Sequence, residues 1–210
     1  RTYPNWVARE GARGAEYDAW GVPKNLPDHV PTLVWTRMLA GPFDYTPGVL
    51  SLAGRGATAP DIPSTLARQL AFYVVIYSPI QMAADLPENL EKWPRALDFV
   101  KRVPVDWSET KVLGGAVGEY AVIARKDRAS ESWYVGGVTD SNPRAQTLTL
   151  DFLDDGRAYT ATIWRDGEGA DGLGTDRHAM AVETRQVRRG DTLSLTMARA
   201  GGFAVELKAQ

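Results

Sequence analysis

Near Trp107 the chain changes its hydrophobic period, and that change limits the folds open to it. Beyond this point, short β-branched runs alternate apolar and polar residues: EYAVIARKD, SWYVGGVTD, QTLTLDF, AYTATIWRDG, AVETRQV, DTLSLTMA and GGFAVELKA. A period of two is the pattern of strands with one face in a core. TDSNPR, DDG and RRGD supply turn signals between the runs. Seven or eight strands at this spacing predict an antiparallel β-sandwich over residues 108–210. Trp133, Tyr134, Tyr159 and Trp164 are expected in its core.

Residues 1–107 read differently. LPDHVPTLVWTRMLAG predicts a helix capped by Asp28, with Pro31 in its first turn and Gly41 at its end. IPSTLARQLAFYVVIYSPI predicts a long buried helix: Ser64 is its expected cap, and Leu66, Leu70, Tyr73, Val74 and Tyr77 fall at helical spacing. PENLEKW and WPRALDFVKRVP predict two shorter helices. TYPNWVARE and PFDYTPG read as short extended pieces. Strand, loop and helix in alternation is the pattern of βα units, so this half is expected to be α/β. A whole (βα)8 barrel needs about 250 residues, and this half supplies roughly a quarter of one.

Composition narrows the function. The 210 residues carry 24 Lys and Arg against 26 Asp and Glu, a formal net charge of -2. That balance lacks the basic face a nucleic-acid partner requires. LAFYVVIYSPI, the longest apolar run, is broken by Pro79 and is too short to cross a membrane. With no cysteine, disulfides, thiol catalysis and thiolate metal sites are excluded, and an oxidising compartment is tolerated. His29 and His178 are the only histidines, so a metal would be held by oxygens, which favours calcium or magnesium. The chain opens on Arg-Thr-Tyr-Pro, with no methionine and no leader pattern, and further sequence is expected upstream.

The opening stretch REGARGAEYDAW places Glu10 and Glu16 six residues apart, with Gly11 and Gly14 between them. Taken alone, two carboxylates beside Arg9 and Arg13 fit solvated ion pairs. Together with TRMLAGPFDYTPG, LARQLAFYVVIYSPIQMAADLPENLEK, DWSETKVLGGAVGEYAVIARKDRASESWYVGG and WRDG, this stretch resembles glycoside hydrolase family 97, the α-glucosidases and α-galactosidases. The resemblance runs over nearly the whole chain. It implies the last part of a (βα)8 barrel over 1–107 and a C-terminal β-domain over 108–210. An upstream barrel and an N-terminal β-sandwich would belong to the same polypeptide.

The resemblance also implies chemistry. Inverting members of the family hold a calcium ion in the active site, with two ligands from a motif matched here by Glu10 and Glu16. Glu16 would also act as general base on water, one of the two carboxylate roles an inverting glycosidase needs. A glutamate at this position points to the inverting α-glucosidase branch and to α-linked, starch-derived oligosaccharides as substrate. The family's general acid lies outside this chain, so the chain alone is expected to be inactive. Secretion or a periplasmic location follows from the same resemblance. A non-catalytic carbohydrate-binding or structural β-domain, and a retaining α-galactosidase, are the alternative readings.

Trp20 is a candidate for stacking on a sugar, His29 for pointing into the cleft and Asp44 for supporting the site; packing and surface roles compete for each. Asp85 reads as a helix-end cap. The acidic loop DGEGADGLGTD misses the spacing of a helix-loop-helix calcium site and reads as a mobile surface loop. An incomplete barrel would leave apolar faces uncovered, so self-association or a rearranged first hundred residues is expected.

Overall fold

The computed structural model describes residues 9–20, 23–54 and 61–210. Among these residues five helices come first: α1 (Ala15–Trp20), α2 (His29–Trp35), α3 (Leu66–Val75), α4 (Pro87–Glu91) and α5 (Pro94–Arg102), with a 3-10 turn at Arg37–Ala40. Eight strands follow among the described residues: β1 (Trp107–Ala116), β2 (Tyr120–Asp127), β3 (Trp133–Thr139), β4 (Arg144–Thr149), β5 (Tyr159–Asp166), β6 (Met180–Val187), β7 (Thr192–Met197) and β8 (Gly202–Ala209).

The strands form a six-stranded sheet in the order β1-β2-β3-β8-β5-β6 and a two-stranded sheet of β4 and β7. Every pairing is antiparallel. One face of the large sheet presents Val122, Val135, Ile163, Phe203 and Val205 to Leu148, Leu193, Leu195 and Met197 of the small one. The opposite face carries the helices. There Ala121, Ile123 and Val138 meet Ala71, Phe72 and Val75, while Tyr134, Trp164 and Ala204 meet Leu66, Leu70, Val74 and Phe99. The burial of each strand follows from this layering. β7, with a core on one side only, alternates exposed and buried along its length, whereas β3 is buried at all of its residues.

α3 is buried along all ten of its residues. Its start is capped by Thr65, whose hydroxyl accepts from Arg68 N at 3.2 Å. Its end is closed from the sheet: Arg125 of β2 donates to Val74 O at 2.6 Å and to Val75 O at 3.3 Å, and reaches Thr110 Oγ1 at 2.7 Å. A cation against the last carbonyls of a helix satisfies orphan acceptors and complements the helix dipole. Burial lowers the Arg125 pKa to about 10, which leaves it charged at neutral pH. Two glycines set how closely the helix approaches. A Cβ at Gly136 would stand 2.8 Å from Ala71 O, and one at Gly202 would stand 2.9 Å from Arg68 Cα.

The sandwich agrees with the sequence pattern, with three refinements. Trp133 and Tyr159 do fill the core between the sheets, but Tyr134 and Trp164 face the helices. β1, which no alternating run marked, is an edge strand with two register shifts against β2. The loop 166–176 is pinned rather than loose. Asp166 accepts from Ala198 N at 2.8 Å and Gly202 N at 2.9 Å, and Gly172 N donates to Arg199 O at 2.8 Å.

The first half departs further from expectation. No strand occurs among the described residues before Trp107, and no barrel portion is present. The run PFDYTPG is extended but makes only single bonds to its neighbours: Asp44 N to Arg9 O at 2.9 Å, Ala15 N to Thr46 O at 3.0 Å and Phe43 N to Tyr77 O at 3.3 Å. A parallel ladder needs repeated bonds to a neighbour on each side, and the segments here meet too briefly to form one. Most of TYPNWVARE lies outside the described residues, and its described end, Arg9–Glu10, is not strand. The first predicted helix stops at Trp35 and continues as the 3-10 turn that Gly41 ends; Asp28 precedes it without a side-chain cap bond. The α3 cap is Thr65, one residue beyond Ser64, which instead accepts from Gln69 Nε2 at 3.0 Å.

Two predictions follow from this packing. Gly136→Ala should lower unfolding free energy by about 1–3 kcal/mol, because the neighbours it would meet include helix backbone; chemical denaturation measures it. Burial raises the Asp166 pKa from 3.8 to about 6, against its backbone hydrogen bonds. Its folded-state value exceeds the unfolded one, so its contribution is full below the usual carboxylate range and is lost as pH rises through about 6. Wild-type stability should therefore fall relative to Asp166→Asn, by up to about 3 kcal/mol, in denaturation series from about pH 4 to pH 7.

Candidate active site

The stretch around Glu10 and Glu16 lies at the edge of the helical layer, in a shape its glycines permit. A Cβ at Gly14 would stand 2.1 Å from Glu16 Oε2, so the carboxylate folds back directly over Gly14. Gly11 adopts φ 149°, and a Cβ there would meet Arg37 Nε at 2.8 Å. Arg37 in turn fixes the backbone it touches, donating to Arg9 O at 2.9 Å and Glu10 O at 3.4 Å.

Glu10, Gly11, Ala12, Arg13, Glu16 and Tyr17 line an open depression of about 530 Å3. Glu10 is exposed and Glu16 half-buried. Glu16 Oε2 is buried and has no hydrogen-bond partner among the described residues. An unpaired buried carboxylate oxygen is costly, and it leaves an acceptor that a ligand could satisfy. The Arg13 guanidinium stands 4.7 Å from the Tyr17 ring centre. Glu10 and Glu16 are the two oxygen-bearing candidates for calcium. Among the described residues no group of three or more His, Cys, Asp or Glu stands together to hold a metal. Calcium takes six to eight oxygens, so this pair would fill part of its shell.

The other expected residues are placed as follows. His29 opens α2 and donates from Nε2 to Arg13 O at 2.8 Å; it tethers the opening stretch and does not line the depression. Asp44 is half-buried beside Arg9, through the bond from its backbone N–H, and is also outside the lining. Trp20 ends α1, and its side chain lies outside the described atoms. Asp85 accepts from Ser51 N at 2.7 Å, Leu86 N at 2.9 Å and Asn89 Nδ2 at 2.8 Å, joining the start of α4 to the preceding loop.

Sequence reasoning missed the clamp behind Glu16. Asp18, on the same short helix, is buried and accepts from Asn25 N at 2.6 Å, while Asn25 Nδ2 donates back to Gly14 O at 3.3 Å. Lys24 Nζ donates to the Asp18 carbonyl. Burial raises the Asp18 pKa in spite of the Asn25 bonds. Arg68 of α3 is buried nearby and donates to Pro27 O and, at 3.3 Å, to Pro63 O; burial lowers its pKa to about 10. Only the short spacing of Asp18 from Glu16 hinted at this arrangement, since no periodic pattern marks an acid turned inward.

An antiparallel sandwich with a helical layer on one face, and two carboxylates beside that layer, defines a β-sandwich module that carries an acidic depression next to its helices. Residues 106–208 match the family described as glycosyl-hydrolase 97 C-terminal, oligomerisation, so the sandwich is a C-terminal domain of glycoside hydrolase family 97. A family 97 enzyme from Pseudoalteromonas sp. strain K8, solved in complex with panose, is 47% identical with a TM-score of 0.94, covering 100% of this chain and 33% of that one. A retaining alpha-galactosidase of Bacteroides thetaiotaomicron is 36% identical over 99% of this chain and 31% of its own length. A probable retaining alpha-galactosidase of Streptomyces bingchenggensis is 33% identical over 97% of this chain and 28% of its own length. The chain thus spans about a third of the length of these relatives.

Asp18→Ala should destabilise the chain by about 1–3 kcal/mol and speed proteolytic cleavage between residues 11 and 26, since it leaves the Asn25 N–H without its acceptor. Glu16→Gln should leave the melting temperature nearly unchanged, because Glu16 Oε2 makes no hydrogen bond.

Proposed function

We propose that this chain contributes part of the active site, and the C-terminal β-sandwich, of a family 97 glycosidase that cleaves α-glucosidic bonds in oligosaccharides. The observation that carries this reading is Glu16: a half-buried carboxylate with an unpaired oxygen, turned over Gly14 and sharing a depression with Glu10. A group held this way, apart from the ion pairs that stabilise surface carboxylates, is suited to acid–base work on a water or a leaving oxygen. Support for glucosides comes from the panose complex of the 47% identical relative. The remaining catalytic groups would come from the two-thirds of the relatives' length that this chain does not span, so the chain alone is inactive in this reading.

Calcium belongs to the same proposal. Glu10 and Glu16 would supply two of its oxygens, and the ion would contribute a hard positive charge to the site. The chain's own residues orient that pair: Arg37 holds the Glu10 backbone, and the Asp18–Asn25 clamp holds the helix that carries Glu16. An α-linked oligosaccharide is the expected partner, and a periplasmic or extracellular location follows from the resemblance. The second reading is a retaining α-galactosidase, favoured by the names of the 36% and 33% identical relatives.

The test is a fusion of this chain to the upstream portion of the Pseudoalteromonas relative. Hydrolysis of panose should appear in the fusion, be absent from the chain alone, and fall by about 100-fold or more with Glu16→Gln. NMR of the first-formed anomer separates the readings. Inversion at glucose supports the glucosidase, whereas retention on an α-galactoside supports the alternative. A Glu16→Gln fusion as active as wild type removes Glu16 from the mechanism.

A further inference from the structure

Trp93 and His178 form a parallel stack, with ring centres 4.4 Å apart and planes 4° from coplanar. The two residues come from distant parts of the chain, Trp93 between α4 and α5 and His178 just before β6. The stack is anchored, because His178 Nε2 donates to Leu50 O at 3.1 Å. Both rings are half-buried and line a depression of about 580 Å3, together with Ser51, Asp85, Asn89 and Lys92. Its lining is separate from the Glu10–Glu16 depression, with no residue in common.

The chemistry of this lining selects a ligand class. Among the described lining residues one Asp and one Lys balance each other, and both are already hydrogen-bonded, so the described wall presents no excess charge to hold a phosphate or another ion. Asp85 accepts from Ser51, Leu86 and Asn89, and Asn89 Oδ1 accepts from Lys92 Nζ at 3.0 Å. These bonds fix Asn89 and Lys92 along one side of the aromatic stack. Val49, Ala53, Ala84 and the 55% exposed Leu86 add apolar surface. A neutral ligand with apolar faces and a rim of hydroxyls matches such a wall, and the volume falls in the range that binds small molecules.

We propose that the Trp93–His178 depression is a carbohydrate-binding site, separate from the catalytic carboxylates, in which a neutral oligosaccharide packs on the indole and takes hydrogen bonds from Asn89 and Lys92. The choice of a glucose oligosaccharide as its ligand rests on the reading given under Proposed function; the site itself does not. The two aromatic rings restrain each other, so little side-chain freedom is lost when a sugar docks.

Titration of the 210-residue chain with maltotriose, read by calorimetry and by indole N–H shifts in NMR, tests this. Saturable binding is expected, weakened about tenfold by Trp93→Ala and several-fold by Asn89→Ala, and unchanged by Glu16→Gln. Should Trp93→Ala fail to fold, Asn89→Ala and Lys92→Ala decide, with the Trp93 indole shift as the direct report of contact. Absence of saturable binding, or binding indifferent to these variants, overturns the site. Binding lost in Glu16→Gln but kept in Trp93→Ala also overturns it, while leaving the proposed function intact. Raffinose bound in place of maltotriose, with the same dependence on Trp93, upholds the site and moves the whole protein toward the galactosidase reading.

Discussion

The docking of α3 on the middle of the large sheet is the contact on which the rest of the molecule depends. All ten residues of this helix are buried, and its neighbours below are β3 and β8, the two central strands. A helix that approaches a sheet so closely needs room, and Gly136 and Gly202 provide it where any Cβ would strike backbone. It also needs its end groups satisfied away from water. Thr65 does this at the start, and Arg125, reaching across from β2, does it at the end. The sheet therefore has two cores, one under the β4–β7 pair and one under the helices. Its central strand β3 is buried throughout because both are filled.

The candidate active site is held at second hand by that helix. Arg68 leaves α3 to bind the carbonyls of Pro27 and Pro63, which brackets the connections on either side of α2. Asn25 then ties Asp18 to Gly14, closing a loop of chain around the first turn of the short helix that carries Glu16. Arg37 and His29 fix the backbone of Arg9, Glu10 and Arg13 from the other side. Glu16 itself takes no part in this bracing at Oε2, which has no hydrogen-bond partner among the described residues. Neighbouring residues thus differ: the Asp18 carboxylate is engaged by Asn25, whereas Glu16 Oε2 is not engaged by the described residues.

Much of the sandwich was legible in the sequence, because alternation is a local signal and antiparallel strands joined by short turns satisfy one another locally. β1 escaped notice since an edge strand with two register shifts has no clean alternation. The helix α3 was legible by its helical spacing, and α4 and α5 fall within PENLEKW and WPRALDFVKRVP, where two short helices were expected. The βα reading of the first half did not survive, for a non-local reason. An extended run such as PFDYTPG becomes a strand only when a neighbour offers a continuous row of partners, and residues near Arg9 and Tyr77 offer it single bonds. At the site, the resemblance singled out Glu10 and Glu16, and the two line one depression. The inward Asp18, and the pairing of Trp93 with His178, depend on contacts across long sequence separations that no pattern records.

If α3 and the sheet form one cooperative unit, native-state hydrogen exchange should show it most directly. The amides of Leu70–Val75 should exchange only through global unfolding, with the same opening free energy as the amides of β3 and β8. Exchange of α3 through a smaller opening, while β3 and β8 stay protected, would mean that the sandwich stands without the helix. The account of how the fold braces Glu16 would then be contradicted.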